Sequence, residues 1–255
     1  MGRVLAVVSQ KGGVGKTTTA INLAVALARS GVKTLLVDTD PQGSVRYGLG
    51  LFGPEHRRGV SDFLSGSAEL HEVVHPTILP WLRVVLAGSI TEDGAQDAYH
   101  QRFAASPRLE ELLTRARERG YVVVVDTPPG LGPISLRVLQ ACDNVIVPLQ
   151  CEPLALQTTA QMLRGIRAAT AGNPQLVFDG ILLSMLEPEN PSSARVAEFV
   201  RSQLPSEMVL EVAIPRSSAS IDAFATGQPI VLRAPDDPAA QAYQKLAELL
   251  ATRLQ

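Results

Sequence analysis

The chain has 255 residues, with hydrophobic side chains at 45%, aromatics at only 4% and a formal net charge of −2. That length suffices for one large domain, and the aliphatic bias predicts an interior of the kind that parallel sheets bury between helices. Near-neutral charge excludes a wholly basic nucleic-acid binder, and no apolar run approaches the roughly 20 residues of a membrane span. The two cysteines, Cys142 and Cys151, match no zinc spacing and cannot staple a scaffold, so they read as buried small hydrophobes in a reducing compartment. No signal peptide is expected, because the first residues form a strand, and the chain reads as soluble and cytoplasmic.

Val4 to Val8 is a short apolar run of strand type. Ser9 to Thr19 then read S-Q-K-G-G-V-G-K-T-T-T, and Ala20, Leu23, Ala24, Leu27 and Ala28 recur at helical spacing. Strand, glycine-rich turn and helix together make a phosphate loop, in which freed N–H groups and the helix N-terminus cradle an anion. Lys16 is placed to reach the β- and γ-phosphates of a nucleoside triphosphate, and the Thr17 hydroxyl to ligate Mg²⁺. The strict pattern G-x-x-x-x-G-K-[ST] is not met: Gln10 stands at its first glycine, and Lys11 adds a second lysine at the mouth of the loop.

Lys33 to Asp38 predicts the second strand, which ends D-T-D-P-Q-G from Asp38 to Gly43. Asp38 is placed to order the Mg²⁺ hydration shell and Asp40 to orient or activate the attacking water, since phosphoryl transfer needs positioning and charge neutralisation above all. Residues 42–106 are the least regular, with turns at Gly48, Gly50, Gly53, Gly59 and Gly66, and they read as surface excursions around one further strand, Leu82 to Ala87. His56, His71, His75 and His100 show no ligand spacing and read as surface histidines.

Tyr121 to Asp126 is an apolar strand that ends on an acid, the form of a Walker B element, with Asp126 holding Mg²⁺ through water. Pro128, Pro129 and Gly130 make a stiff turn where a γ-phosphate sensor belongs. Strands over Asn144 to Leu149 and Val177 to Ser184 alternate with helices at about 107–119, 133–141, 154–171, 192–204 and 239–254. The result is an α/β fold: a doubly wound, mostly parallel sheet with helices on both faces, in a single domain over residues 1–255, with ligands at the strand carboxyl ends. The last helix carries Ala242, Tyr243, Leu246, Leu249 and Leu250 on one face and only Lys245 and Arg253 as bases, which suits docking onto the domain and not a membrane.

The loop Lys11 to Thr18, the D-T-D-P-Q-G stretch and the D-T-P-P of Asp126 to Pro129 resemble the ParA/Soj branch of the deviant Walker A P-loop ATPases, in the ParA/MinD superfamily. Pro148 to Glu152, Gly180 to Met185, Ile214 to Arg216 and Gly227 to Ile230 extend the resemblance over nearly the whole chain. It implies an ATP-dependent homodimer in which Lys11 crosses to the partner's ATP and Gly12 and Gly13 lie at the interface. ATP would be bound by Lys11, Gly12, Gly13, Val14, Gly15, Lys16, Thr17 and Thr18, with Pro215 and Arg216 beside the adenine. Lys11, Lys16 and Asp40 would be catalytic, and Thr17, Asp38 and Asp126 would surround Mg²⁺.

The resemblance also implies non-specific binding of double-stranded DNA in the ATP state and a ParB-type activator. A nucleoid-associated location and segregation of chromosome or plasmid DNA follow from it, while the absence of a basic amphipathic tail in the last helix argues against a membrane role. Here the chain departs from the pattern. Leu186 to Ser193 is acidic, with Glu187 and Glu189 where a base is expected, and Arg216 to Asp222 has no further arginine. The remaining DNA candidates are Arg164, Arg167, Arg195, Arg201 and Arg216, with Arg233, each of which also reads as an ordinary solvated charge. The alternative is a ParA-like ATPase that positions a protein cargo or a division regulator, with weak or no DNA binding. A nitrogenase-iron-protein-like reductase would need cluster cysteines that Cys142 and Cys151 do not supply, and a small-molecule kinase would not need Lys11. No helix-turn-helix precedes the first strand, so operator binding is not expected.

Overall fold

Runs of consecutive apolar residues make the strands, and each run places alternate side chains on opposite faces of one sheet. In a computed structural model, which describes residues 2–88, 90, 95–153 and 155–254, β1 (Val4–Val7) leads through the glycine-rich turn into α1 (Lys16–Arg29) and β2 (Thr34–Asp38). There follow α2 (Ser44–Gly48), α3 (Val60–Ser65), α4 (Leu70–Val73), β3 (His75–Pro76), β4 (Leu82–Val85), α5 (Ala95–Ala105) and α6 (Arg108–Glu118). The second half runs β5 (Val122–Asp126), α7 (Pro133–Ala141), β6 (Asn144–Gln150), α8 (Ala155–Gly172), β7 (Val177–Leu186) and α9 (Pro191–Gln203). It closes with β8 (Val209–Pro215), α10 (Ser218–Ala225), α11 (Ile230–Arg233) and α12 (Pro238–Ala251). The expected start of the 154–171 helix, residue 154, lies outside the described residues.

The eight strands form one sheet in the order β3-β4-β2-β5-β1-β6-β7-β8. Every pairing is parallel except the short antiparallel β3 on β4. Val4, Ala6, Val123 and Val125 face a core built with α3, α5, α6, α7, α8 and α9. Leu5, Val7, Val122 and Val124 face the opposite core, built with α1, α10, α11 and α12. The doubly wound reading is therefore the observed one, and α12 docks as expected, burying Tyr243, Leu246 and Leu250. Cys142 and Cys151 are both buried thiols, and burial pushes Cys142 up to about 12 and Cys151 to about 11.

Two stretches differ from the sequence expectation. Residues 42–106 are not surface excursions: Phe63 of α3 and Tyr99 and Phe103 of α5 are among the largest fully buried side chains. Among the described side chains of α5 two aromatics, one turn apart, reach the core among Asp97, Gln101 and Arg102, so no apolar stripe marks the helix in the sequence. The start of α3 is fastened to the sheet because Val60 N donates to Leu86 O (2.7 Å) and Ser61 N to Ala87 O (3.0 Å). A Cβ at Gly59 would collide with Leu86 O, so this approach requires glycine. His75 is likewise buried, not superficial, with Nε2 2.7 Å from Arg58 O. The second stretch, 205–237, holds β8, α10 and α11, none of which the periodicity marks.

Because Phe103 fills the core under α5, Phe103→Ala should cost about 3–5 kcal/mol, read as a lower urea midpoint with an unchanged slope. A wild-type midpoint would show that α5 does not bear on the core.

Candidate active site

The loop after β1 is shaped by two glycines at positive φ, Gly13 (78°) and Gly15 (84°), the second being the N-cap of α1. Three hydrogen bonds fix it: Ser9 Oγ to Lys11 O (2.9 Å), Ser184 Oγ of β7 to Val14 O (2.8 Å), and Gly130 N to Ser9 O (2.8 Å). A Cβ at Gly12 or Gly13 would meet nothing within 4 Å, so this side of the loop faces open space. No acidic residue sits in the first turn of α1, which leaves its positive end free for an anion. Lys11 is half-buried at the mouth, whereas Lys16 is buried beneath the loop.

The acids come from neighbouring strands. In the β2–β5 register Asp38 stands directly beside Asp126, and both carboxylates are fully buried. Asp38 accepts from Asp40 N (3.0 Å) and Val45 N (3.2 Å). Asp126 accepts from Lys16 Nζ (3.2 Å) and Thr17 Oγ1 (2.7 Å). Asp40 lies 4.0 Å from Lys16 Nζ and accepts from Gln42 N (2.9 Å). Burial, reinforced by the Asp126 charge, holds the Asp38 carboxyl well above the usual carboxylate range. Burial also raises Asp126, against the opposing pull of Lys16 and Thr17. Tyr99 OH donates to Thr39 O (3.2 Å), and Thr39 Oγ1 to Asp126 O (2.7 Å), so the backbone between Asp38 and Asp40 is held from α5 and from β5.

Thr17, Asp38 and Asp126 thus gather an all-oxygen donor set, which suits a hard divalent cation, next to backbone N–H groups suited to phosphate. Beside Gly15 and Thr18 opens a cavity of about 360 Å³ walled by Met185, Pro215, Arg216, Ile221, Phe224 and Tyr243. Pro215 and Arg216, which the resemblance sets beside the adenine, are among the residues that line this cavity. Ile221 and Phe224 of α10 and Tyr243 of α12 were not foreseen as part of a site, and the one available signal, Tyr243 within an apolar helix face, read as core. Met185 has φ 51°, the one non-glycine residue at positive φ among the described residues.

The candidate DNA arginines separate into two groups. Arg164 and Arg167 on α8, and Arg195 and Arg201 on α9, are exposed on helices that cover the same sheet face. Arg216 instead is engaged by carboxylates, Nε at 2.8 Å from Glu187 and Nη2 at 3.9 Å from Glu152.

Loop, lysine, hydroxyl and strand-end acids define a P-loop nucleoside triphosphatase of the deviant lysine-bearing type. The family described as an AAA domain (AAA_31) matches residues 2–178. Chromosome partitioning protein ParA of Caulobacter vibrioides is 39% identical over 254 residues, 98% of this chain and 94% of that protein. Sporulation initiation inhibitor protein Soj of Bacillus subtilis is 34% identical over 252 residues, 98% of this chain and 99% of that protein. The solved structure of cobyrinic acid a,c-diamide synthase from Mycobacterium smegmatis, with bound ATP analog and magnesium, superposes with TM-score 0.80 at 33% identity, covering 98% and 95% of the two chains. This chain belongs to the ParA/Soj family of deviant Walker A partition ATPases. Among the described residues no helix is long and apolar enough to cross a membrane.

Lys16→Ala removes the buried cation of this site and should abolish binding of a fluorescent ATP analogue in an equilibrium titration. Tight binding by that variant would overturn the site.

Proposed function

We propose that residues 1–255 act as one Mg²⁺-dependent ATPase domain that dimerises on ATP and uses the cycle to segregate DNA. The observation that carries this reading is the in-register pair Asp38 and Asp126 beneath the phosphate loop, with Lys16 as their nearest cation. In this reading the N–H groups of Gly12, Gly13, Val14, Gly15, Lys16, Thr17 and Thr18 hold the phosphates, while Lys16 swings from Asp126 to the β- and γ-oxygens. Thr17, Asp38 and Asp126 would hold Mg²⁺, which would supply neutralisation of the charge that builds on the phosphoryl oxygens. Asp40, at the rim of the acid cluster, orients the attacking water and receives its proton. The base lies in the cavity beside Pro215 and Arg216.

Lys11 would complete the partner's phosphate site across a dimer interface for which the open face of Gly12 and Gly13 leaves room. A cation supplied in trans couples dimerisation to nucleotide state, as an arginine finger does. Dimerisation would double the exposed set Arg164, Arg167, Arg195 and Arg201, and non-specific DNA affinity grows with the number of phosphates neutralised. A ParB-type partner would stimulate hydrolysis and release the dimer from the nucleoid of the cytoplasm. A second reading, positioning of a protein cargo or a division regulator with weak DNA binding, is favoured by one observation: Arg216 is already paired with Glu187 and Glu152.

Asp40→Ala should trap an ATP-bound dimer, seen by light scattering, that binds duplex DNA with ATP but not ADP and loses affinity steeply as salt rises. A monomeric variant that still hydrolyses ATP would refute the role of Asp40. An intact dimer that ignores DNA at low salt would leave the cargo reading in its place.

A further inference from the structure

The stretch from Thr127 to Gly132 joins β5 to α7 and carries the stiff turn Pro128-Pro129-Gly130, which none of the proposed steps uses. Both ends are fastened. Thr127 Oγ1 donates to Val7 O (2.9 Å), and Ser135 Oγ in the first turn of α7 donates to Pro128 O (3.3 Å). Between them Gly130, at φ 82°, donates its N–H to Ser9 O (2.8 Å). Ser9 Oγ donates to Lys11 O (2.9 Å), so Gly130 grips the phosphate loop at the residue that fixes the backbone of Lys11. Leu131, the next residue, packs on the core under α8 and reaches that helix at Gly165.

Gly165 lies in the interior of an 18-residue helix, where glycine is a poorer helix former than alanine. Its backbone stays out of the left-handed region, so the chain conformation does not call for glycine there. A Cβ at Gly165 would collide with Leu131 Cδ1 and lie 3.5 Å from Leu131 Cγ. Among the described residues no other side chain comes within 4 Å of that position. The missing side chain therefore makes a notch, and Leu131 fills it. A continuous path runs from Gly165 through Leu131, Gly130 and Ser9 to Lys11.

We propose that Leu131 is a positioning residue for hydrolysis: seated in the Gly165 notch, it holds Gly130 on Ser9 O and so sets Lys11 at the mouth of the loop. The proposal rests on the reading of Lys11 as the cation supplied in trans. Placement matters for such a group, because an error of about 1 Å can cost on the order of a hundredfold in rate. Nucleotide affinity should not follow the same path. The rest of the loop is anchored separately, by Ser184 Oγ on Val14 O (2.8 Å) and by Asp126 on Lys16 (3.2 Å). A leucine that only closed a gap would register in stability and leave the rate constant alone.

The test is single-turnover ATP hydrolysis by the full-length protein, beside equilibrium titration with a fluorescent ATP analogue. Leu131→Ala should slow hydrolysis at least roughly tenfold while ATP affinity stays within about twofold. Gly165→Ala should slow it at least roughly threefold, because the new methyl evicts Leu131, although alanine favours the helix. The double variant should be no slower than Leu131→Ala, since with the leucine gone the methyl displaces nothing. If Leu131→Ala fails to fold, Gly165→Ala carries the test alone. Lys11→Ala separates this proposal from the reading beneath it. Wild-type hydrolysis by Lys11→Ala would sink both. Slow hydrolysis by Lys11→Ala, with a wild-type rate in Leu131→Ala or Gly165→Ala, would overturn the seat alone. Affinity that falls in parallel with rate, or losses that add in the double variant, would also overturn it.

Discussion

Two aspartates held side by side in a dry sheet repel each other, and one lysine lies between them and water. Asp38 and Asp126 are forced together by the β2–β5 register, and each loses solvation that no neighbour fully replaces. Lys16 answers part of that deficit by reaching Asp126 at 3.2 Å, and Thr17 adds a hydrogen bond at 2.7 Å. The other features of the site follow from this imbalance. Glycines hold the loop open above it, the positive end of α1 points at it, and Tyr99 and Thr39 prevent the strand ends from relaxing apart. A polyanion with a divalent cation would satisfy both halves at once, leaving Lys16 free to pair with phosphate and the carboxylates free to hold the cation.

The parts of this site that are local in sequence are the parts the sequence discloses. A strand, a glycine turn and a helix are contiguous, and an acid at the end of an apolar run needs no tertiary knowledge, so Lys16, Thr17, Asp38, Asp40 and Asp126 were legible one by one. Their mutual placement follows from parallel pairing. The cavity beside Gly15 was legible only through Pro215 and Arg216, because much of its remaining wall comes from α10 and α12, whose apolar residues carry no mark that separates a cavity wall from core. Residues 42–106 were misread for a related reason. Short helices with one or two buried side chains each, such as Phe63 or Tyr99 and Phe103, do not generate a period, and glycines such as Gly59 look like loop signals even where they serve a close approach to a strand. Ion pairs between distant loops, as from Arg216 to Glu187 and Glu152, are likewise invisible until the chain is folded.

Helix α1 joins the loop to the core: its first turn carries Lys16 and Thr17 to Asp126, and its length packs against α12. The arginines of α8 and α9 lie on the other side of the sheet. The α1–α12 layer and the exposed α8–α9 arginines thus lie on opposite faces of one sheet. Arg216 stands apart from both, held by Glu187 and Glu152.

The most direct test of the electrostatic argument is calorimetric melting of the nucleotide-free protein with ATP alone, Mg²⁺ alone, and both together, with EDTA as the control. If the buried acid pair is completed only by phosphate and cation together, stabilisation by both should exceed the sum of the separate effects and collapse when EDTA is added. Equal stabilisation by ATP with and without EDTA would contradict it, and would mean that Asp38 and Asp126 serve the fold and not the nucleotide.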